Sequence, residues 1–160
     1  RLSVTGTGYE PVGELLSDGR PVLPTGEAAR LAEAALLCND AHLEYRNGTW
    51  GITGDPTEGA LVVLGEKLGI ATDRLRSLNP RTDAVPFESE RQFMATLHRT
   101  GSSGGLVLLK GAPEAVLDRC LGVDRTLVEL RAAELAKNGM RVLGVAAKTV
   151  PTADACLDSE

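Results

Sequence analysis

The dipeptide Asn47-Gly48, set between two β-prone runs, constrains the fold of this chain more than any other sequence feature. A two-residue type I′ turn needs positive φ at both central positions, and Asn followed by Gly tolerates this best. Such a turn fixes the register of the two strands that it joins. We therefore predict a hairpin over Leu43–Ile52 in which Tyr45 lies opposite Trp50 and Leu43 lies opposite Ile52, with all four side chains on one face.

Other stretches of the chain alternate or are rich in apolar residues, and they predict further strands. These are Ala84–Phe87, Arg91–Arg99, Leu106–Lys110 and a final β-prone run over Arg141–Val150. In the second of them, strict alternation would place Phe93, Ala95 and Leu97 on one face of the strand.

Capping residues and helix stop signals predict the helices. The predicted helices are Gly26–Cys38 after an N-cap at Thr25, a helix that begins at Asp55-Pro56 and ends at Gly69, Pro113–Cys120, and Thr126–Asn138 with a capping box of Thr126 and Glu129. Hairpins grouped with helices predict an α+β fold, an antiparallel β-sheet flanked by helices. We expect residues 1–150 to form one domain and the acidic residues 151–160 to form a loosely ordered tail. Both ends of the chain are β-prone, which suits a domain inserted into a host by a two-stranded connection.

Composition excludes several classes of function. The formal net charge is −5 and no run of basic residues occurs, which argues against a nucleic-acid or membrane-surface partner. No apolar stretch approaches the roughly 20 residues that cross a bilayer. The three cysteines show no CxxC spacing, so reduced thiols are expected, and the two scattered histidines do not predict a metal site. We expect a monomer.

Common catalytic and phosphate-binding motifs are absent from the sequence. Gly6-Thr7-Gly8 lacks the third glycine of a dinucleotide fingerprint, and Lys148-Thr149 lacks the glycine that precedes them in a P-loop. These observations alone predict an α+β domain and do not indicate its function.

Four short segments extend the interpretation: Gly54–Ala60 (GDPTEGA), Pro86–Arg91 (PFESER), Lys110–Glu114 (KGAPE) and Gly139–Gly144 (GMRVLG). In identity, order and spacing they resemble the nucleotide-binding domain of P-type cation-transporting ATPases, nearest to the bacterial form of the calcium, sodium/potassium and proton pump branch. The likeness covers essentially the whole chain, and KGAPE is its most specific segment.

The resemblance implies a role for five residues of this sequence. Glu58 resembles the carboxylate that accepts a hydrogen bond from the adenine amino group, although it is also an N3 residue that could serve the helix cap at Asp55. Phe87 resembles the aromatic on which adenine stacks, and a lone Phe is otherwise usually core. Lys110 resembles the lysine at the floor of the adenine pocket, and Gly111 would let the backbone approach the base. Arg141 resembles the arginine that reaches the phosphates; the alternatives for the two basic residues are a solvated strand end and a surface charge.

Gln92 departs from the family pattern, because many relatives have a lysine five residues after the stacking Phe. Its amide can donate hydrogen bonds but carries no charge. If the strand is regular, Arg91 points to the opposite face and does not replace the missing charge. We include Gln92 among the nucleotide-binding residues and expect weakened binding.

The family places the phosphorylated aspartate in an Asp-Lys-Thr-Gly-Thr motif, and this sequence has none. The resemblance therefore implies a domain that binds ATP, as Mg-ATP in the full-length enzyme, and presents it to the phosphorylation and actuator domains of the same polypeptide. The domain alone would bind ATP without hydrolysing it, in the cytoplasmic part of a plasma-membrane pump and without direct membrane contact. Two alternatives stay open: a stand-alone nucleotide sensor, and a degenerate domain used for protein contacts.

Overall fold

The structure is a computed structural model that describes residues 1–101, 103–154 and 156–157. The chain divides into two units, residues 1–78 and residues 79–160. The units contain antiparallel sheets and five helices within the described residues, which confirms the predicted α+β fold class. No helix in the described part of the chain is both long enough and apolar enough to cross a membrane.

The first unit combines a small sheet, a hairpin and three helices. The antiparallel sheet contains β1 (Leu2–Val4), β2 (Leu15–Ser17) and β3 (Arg20–Pro21), and the remaining elements are α1 (Gly26–Leu37), β4 (His42–Arg46), β5 (Thr49–Thr53), α2 (Pro56–Lys67) and α3 (Thr72–Leu78). Leu36, Ala41 and Val62 form a buried cluster, against which side chains from β4 and α3 pack.

The β4–β5 hairpin has the register that its turn predicts. Tyr45 pairs with Trp50 and Leu43 with Ile52. Asn47 and Gly48 both have positive φ, 53° and 80°. The Tyr45 and Trp50 rings lie 5.0 Å apart between centroids, a favourable tilted contact.

The first two long helices differ in how they begin. Asp55 is the N-cap of α2, and its carboxylate accepts hydrogen bonds from the amides of Thr57 and Glu58. Pro56 occupies the first helical turn, as predicted. Thr25 is the N-cap residue of α1, but its side chain makes no capping hydrogen bond. The sequence did not predict helix α3.

The second unit is built on one four-stranded antiparallel sheet in the order β6-β7-β8-β9. The strands are β6 (Arg81–Glu88), β7 (Phe93–Thr100), β8 (Gly104–Gly111) and β9 (Gly144–Val150), and α4 (Pro113–Leu117) and α5 (Arg125–Lys137) lie between β8 and β9 in sequence. Val85, Phe93, Ala95 and Ala115 form its buried cluster. Six consecutive residues of β7, from Phe93 to His98, are buried, so both faces of that strand are covered rather than only the predicted one.

Three details of the second unit correct the predictions. Helix α5 is capped by Asp124, whose carboxylate accepts from the Leu127 amide at 3.0 Å, so the predicted cap at Thr126 is wrong. Strand β7 begins at Phe93 rather than Arg91, and the last strand begins at Gly144 rather than Arg141.

The described part of the predicted tail contacts the sheet. Ala153 is buried, its carbonyl accepts a hydrogen bond from the Thr82 hydroxyl at 3.1 Å, and the Leu157 amide donates to Asp83 at 2.7 Å. Residues 155 and 158–160 lie outside the described residues. The division of the chain at residue 150 stays a prediction.

Candidate functional site

Five of the six predicted site residues lie at one end of the four-stranded sheet. Glu88, Phe93, Gly111 and Gly144 are paired in register across all four strands and mark that end. Each predicted residue is one of these, or lies within three positions of one along the chain: Phe87, Gln92, Lys110, Gly111 and Arg141. Antiparallel pairing thus brings together segments that are far apart in sequence.

Phe87 lies at the end of β6, and more than half of its side-chain surface is exposed, 58%. The pairing of β6 with β7 is irregular between Val85 and Glu88. An irregularity of this kind redirects side chains at the edge of a sheet. The alternative that Phe87 is a core residue is therefore wrong, and its ring has a surface on which a planar base could stack.

Lys110 is buried, with 5% of its surface exposed, so the alternative of a solvated strand end is also wrong. It pairs with Met94 of β7, and alternation places Thr96 and His98 on the same face of that strand. A buried ammonium group is rare in proteins unless it has partners. The sequence analysis did not identify Met94 as the cross-strand neighbour of Lys110, because the pairing of β7 with β8 was not known from the sequence.

His98 belongs to the same buried face. One ring nitrogen lies 2.9 Å from the Asn79 carbonyl and the other 2.9 Å from the Thr96 hydroxyl. Burial lowers the pKa of His98 because the charged imidazolium would lose its hydration, and the hydrogen bond to Asn79 opposes this only in part. Neutral His98 is therefore the form that this sheet accommodates.

Gly111 has a structural reason to be glycine. A Cβ at this position would lie 2.6 Å from the Cα of Phe93 on the neighbouring strand, and it would also overlap the Gln92 carbonyl oxygen. Any side chain would therefore push β7 and β8 apart at the candidate site. The close approach that Gly111 allows in this structure is between strands; approach to a base is a separate expectation.

Gln92 lies in the turn between β6 and β7, with φ of 59° and an exposed side chain. Its backbone amide donates to the backbone carbonyl of Glu88 at 2.8 Å, and its backbone carbonyl accepts from the Ala112 amide at 2.9 Å. The expectation that Arg91 and Gln92 point to opposite faces of a regular strand is wrong, because both residues precede β7. Arg91 instead pairs with Glu88 at 2.6 Å, so a carboxylate already balances its charge.

Arg141 is exposed and lies in the segment between α5 and β9, three residues before Gly144. Arg141 therefore lies at the same end of the sheet as Phe87 and Lys110. A guanidinium group there could form paired, charge-assisted hydrogen bonds with phosphate oxygens.

Glu58 belongs to the first unit, in the first turn of α2. Its amide is capped by Asp55, and one carboxylate oxygen accepts from the Asp40 amide at 3.0 Å. Glu58 is therefore part of the helix start, as the alternative interpretation proposed, while its carboxylate is held by the loop between α1 and β4.

Comparison with known proteins identifies the family of the chain. Residues 27–159 match the family model described as "P-type ATPase, cytoplasmic domain N". The chain is 39% identical to "Cation-transporting ATPase pma1" of Synechocystis sp., over 92% of this chain and 18% of that protein. It is 46% identical to "Probable cation-transporting ATPase F" of Mycobacterium bovis, over 89% and 17%. It is 36% identical to "Calcium-transporting ATPase type 2C member 1" of Bos taurus, over 91% and 16%.

The chain belongs to the P-type ATPase family, and the part of the family that it matches is cytoplasmic domain N. The predicted family is thus confirmed. The chain spans less than a fifth of the length of these curated relatives.

Proposed function

We propose that this chain binds ATP and positions it for phosphoryl transfer to an aspartate elsewhere in a P-type cation-transporting ATPase. The observation that carries the proposal is the meeting of Phe87, Gln92, Lys110, Gly111 and Arg141 at one end of the sheet. These residues come from separate stretches of the sequence, and together they offer an aromatic face, hydrogen-bond donors and positive charge.

Each residue has a proposed task that its position supports. The exposed ring of Phe87 stacks on adenine, and buried Lys110 with its partner Met94 forms the floor of the base pocket. Exposed Arg141 binds phosphate oxygens, and Gln92 donates hydrogen bonds from the turn. Glu58 lies in the first unit, and its contact with adenine stays a prediction from the resemblance. None of these residues is assigned to the chemical step, so the contribution to catalysis is positioning.

The wider setting is also a proposal. In the whole polypeptide the nucleotide would be Mg-ATP, the acceptor aspartate would belong to a phosphorylation domain, and an actuator domain would complete the cycle in the cytoplasm. The length of the relatives, more than five times that of the matching region, supports such partners. The magnesium ion would be held by the phosphates, since no carboxylate of this chain is assigned to it.

A titration combined with a turnover assay tests the proposal. An open site with one aromatic and few cations should bind ATP with a Kd on the order of 1 mM, about −4 kcal/mol. Nuclear magnetic resonance measures such weak binding directly. Absence of any ATP binding up to 20-fold above that concentration would support the alternative of a protein-contact domain. Phosphate release by the purified chain, lost when one of its residues is changed, would contradict a purely positioning role.

A further inference from the structure

The described part of the tail crosses the four-stranded sheet at the end opposite the candidate site. The chain leaves β9 at Val150 and passes β8 at Gly105, where a Cβ would lie 2.7 Å from the Thr152 carbonyl oxygen. Further along, Asp154 pairs with Arg99 of β7 at 3.4 Å. The tail therefore passes β8 and β7 before it reaches β6, at the other edge of the sheet.

Two neighbouring residues of β6 attach the tail to that strand. The Thr82 hydroxyl donates to the Ala153 carbonyl at 3.1 Å. The Asp83 carboxylate accepts from the Leu157 amide at 2.7 Å. Ala153 is buried, so the first of these contacts is shielded from water. The second is a hydrogen bond to a charged acceptor, which is stronger than one between neutral groups.

The side chain of Leu157 extends the attachment towards the candidate site. It packs against the buried cluster of Val85, Phe93, Ala95 and Ala115. Phe93 of this cluster pairs with Glu88, the residue that follows Phe87 in the chain. One tail residue therefore contacts β6 through its backbone and the core beneath the site end of the sheet through its side chain.

Strand β6 has few ladder hydrogen bonds of its own to hold it in place. It lies at the edge of the described sheet and pairs there with β7 alone. This pairing is irregular at two places, between Arg81 and Asp83 and between Val85 and Glu88. An irregularity of this kind disrupts the ladder locally. The tail is attached at the first irregularity, and exposed Phe87 lies in the second.

We propose that the tail is a strap that couples its own attachment to nucleotide binding. An attached tail holds β6 in the position in which Phe87 offers its ring to a planar base. A detached tail lets β6 move and weakens binding. This inference rests on the proposed function and adds a means of regulation to it, because any partner that pulls the tail from the sheet would lower the affinity for the nucleotide. The tail itself does not contact the nucleotide.

Such a coupling is reciprocal and can be measured from both ends. If an attached tail favours nucleotide binding, bound nucleotide favours the attached tail by the same factor. We expect a factor of about five, the lower end of what stacking on an aromatic ring is worth. The Leu157 amide reports the attachment directly, because its hydrogen bond to Asp83 must open before the amide exchanges with water.

Hydrogen exchange of the Leu157 amide, measured without ATP and with saturating ATP, is the first test. ATP should slow this exchange about fivefold. The matched control is the Leu127 amide, which also donates to a carboxylate, that of Asp124 at 3.0 Å at the start of α5. Its exchange should not change. Exchange at Leu157 that stays constant while ATP binds, or that slows equally at both amides, would overturn the inference.

The substitution Leu157→Ala, with Cys156→Ala as its control, tests the coupling from the tail. The first removes the side chain that packs on the cluster, and the second shortens its exposed neighbour. Leu157→Ala should speed exchange of the amide of residue 157. It should also raise the Kd of ATP, ADP and AMP by one common factor of about two to five, because detachment in half of the molecules doubles the apparent Kd. Cys156→Ala should change neither quantity.

Two results with Leu157→Ala would contradict the strap. Faster exchange with all three affinities at their wild-type values would show that attachment and binding are independent. Unchanged exchange would show that this side chain does not hold the tail. The two levels of the proposal separate in the wild-type titration. A chain that binds none of the three nucleotides contradicts the proposed function and the strap together, whereas binding without an effect on the Leu157 amide contradicts the strap alone.

Discussion

Replacing Phe87 by alanine should separate nucleotide binding from folding. Because 58% of its surface is exposed, the ring buries less than half of the 150–250 Å² that a fully buried aromatic side chain covers. At about 25 cal/mol per Å², the lost burial amounts to roughly 1.6–2.6 kcal/mol, below the 3–5 kcal/mol typical of a buried Phe. Loss of stacking should weaken ATP, ADP and AMP alike, by about 1–3 kcal/mol.

Titration of the Phe87→Ala variant with the three nucleotides, together with urea unfolding, measures both quantities. Leu121→Ala is the matched control, because Leu121 is 97% exposed and lies after α4, away from the predicted site residues in sequence. It should change neither stability nor affinity. A folded Phe87→Ala protein that binds all three nucleotides as tightly as wild type would refute the stacking argument.

Four further predictions follow from single side chains. Arg141→Ala should weaken ATP more than AMP, because its proposed partners are the distal phosphates; equal losses in a titration series would place the phosphates elsewhere. Gln92→Lys should tighten ATP by about 0.2–1 kcal/mol at low salt and by less at high salt, since exposed charge pairs are screened; calorimetry at two salt concentrations measures this. Asp124→Ala should destabilise the protein by about 0.5–2 kcal/mol, whereas Thr126→Ala should cost much less, as urea midpoints would show. Folding lowers the pKa of His98, so the unfolded chain binds this proton at a higher pH than the folded chain does. The free energy of unfolding should therefore decrease as the pH drops below about 6.5 and level off below the folded-state pKa. Between pH 7.5 and 5.5 the free energy of unfolding should change less for His98→Gln than for wild type.

Local chemistry determined the features that were predicted correctly. The Asn47-Gly48 turn fixes the hairpin register because a type I′ turn allows one pairing only. Asp55 and Pro56 begin α2 because the cap needs only residues within the first helical turn. The α+β class could be predicted for the same reason, since hairpins and capped helices are both local signals.

Features that depend on tertiary structure were missed. Helix α3 has only seven residues, and its contacts include Thr72 bonded to Glu66 and Arg76 bonded to the loop at Asn39. At the start of α5 only Thr126 was predicted as the cap; Asp and Thr both favour the N-cap position, so local propensity did not indicate that Asp124 occupies it.

The site was predictable only through resemblance. Strand order brings Phe87, Lys110 and Arg141 to one end of the sheet, and no local pattern specifies that order. Burial of Lys110 could not be predicted locally, because lysine is ordinarily exposed.

The most direct test of the central claim is a map of amide resonance shifts on titration of the whole chain with ATP. If the nucleotide binds where the structure gathers the predicted residues, the largest shifts in the second unit will cluster around Glu88, Phe93, Gly111 and Gly144. The opposite end of the same sheet, where His98 pairs with Arg81 and Gly105 with Val150, will remain unshifted. Shifts concentrated at that opposite end, or spread evenly over the sheet, would contradict the proposed site.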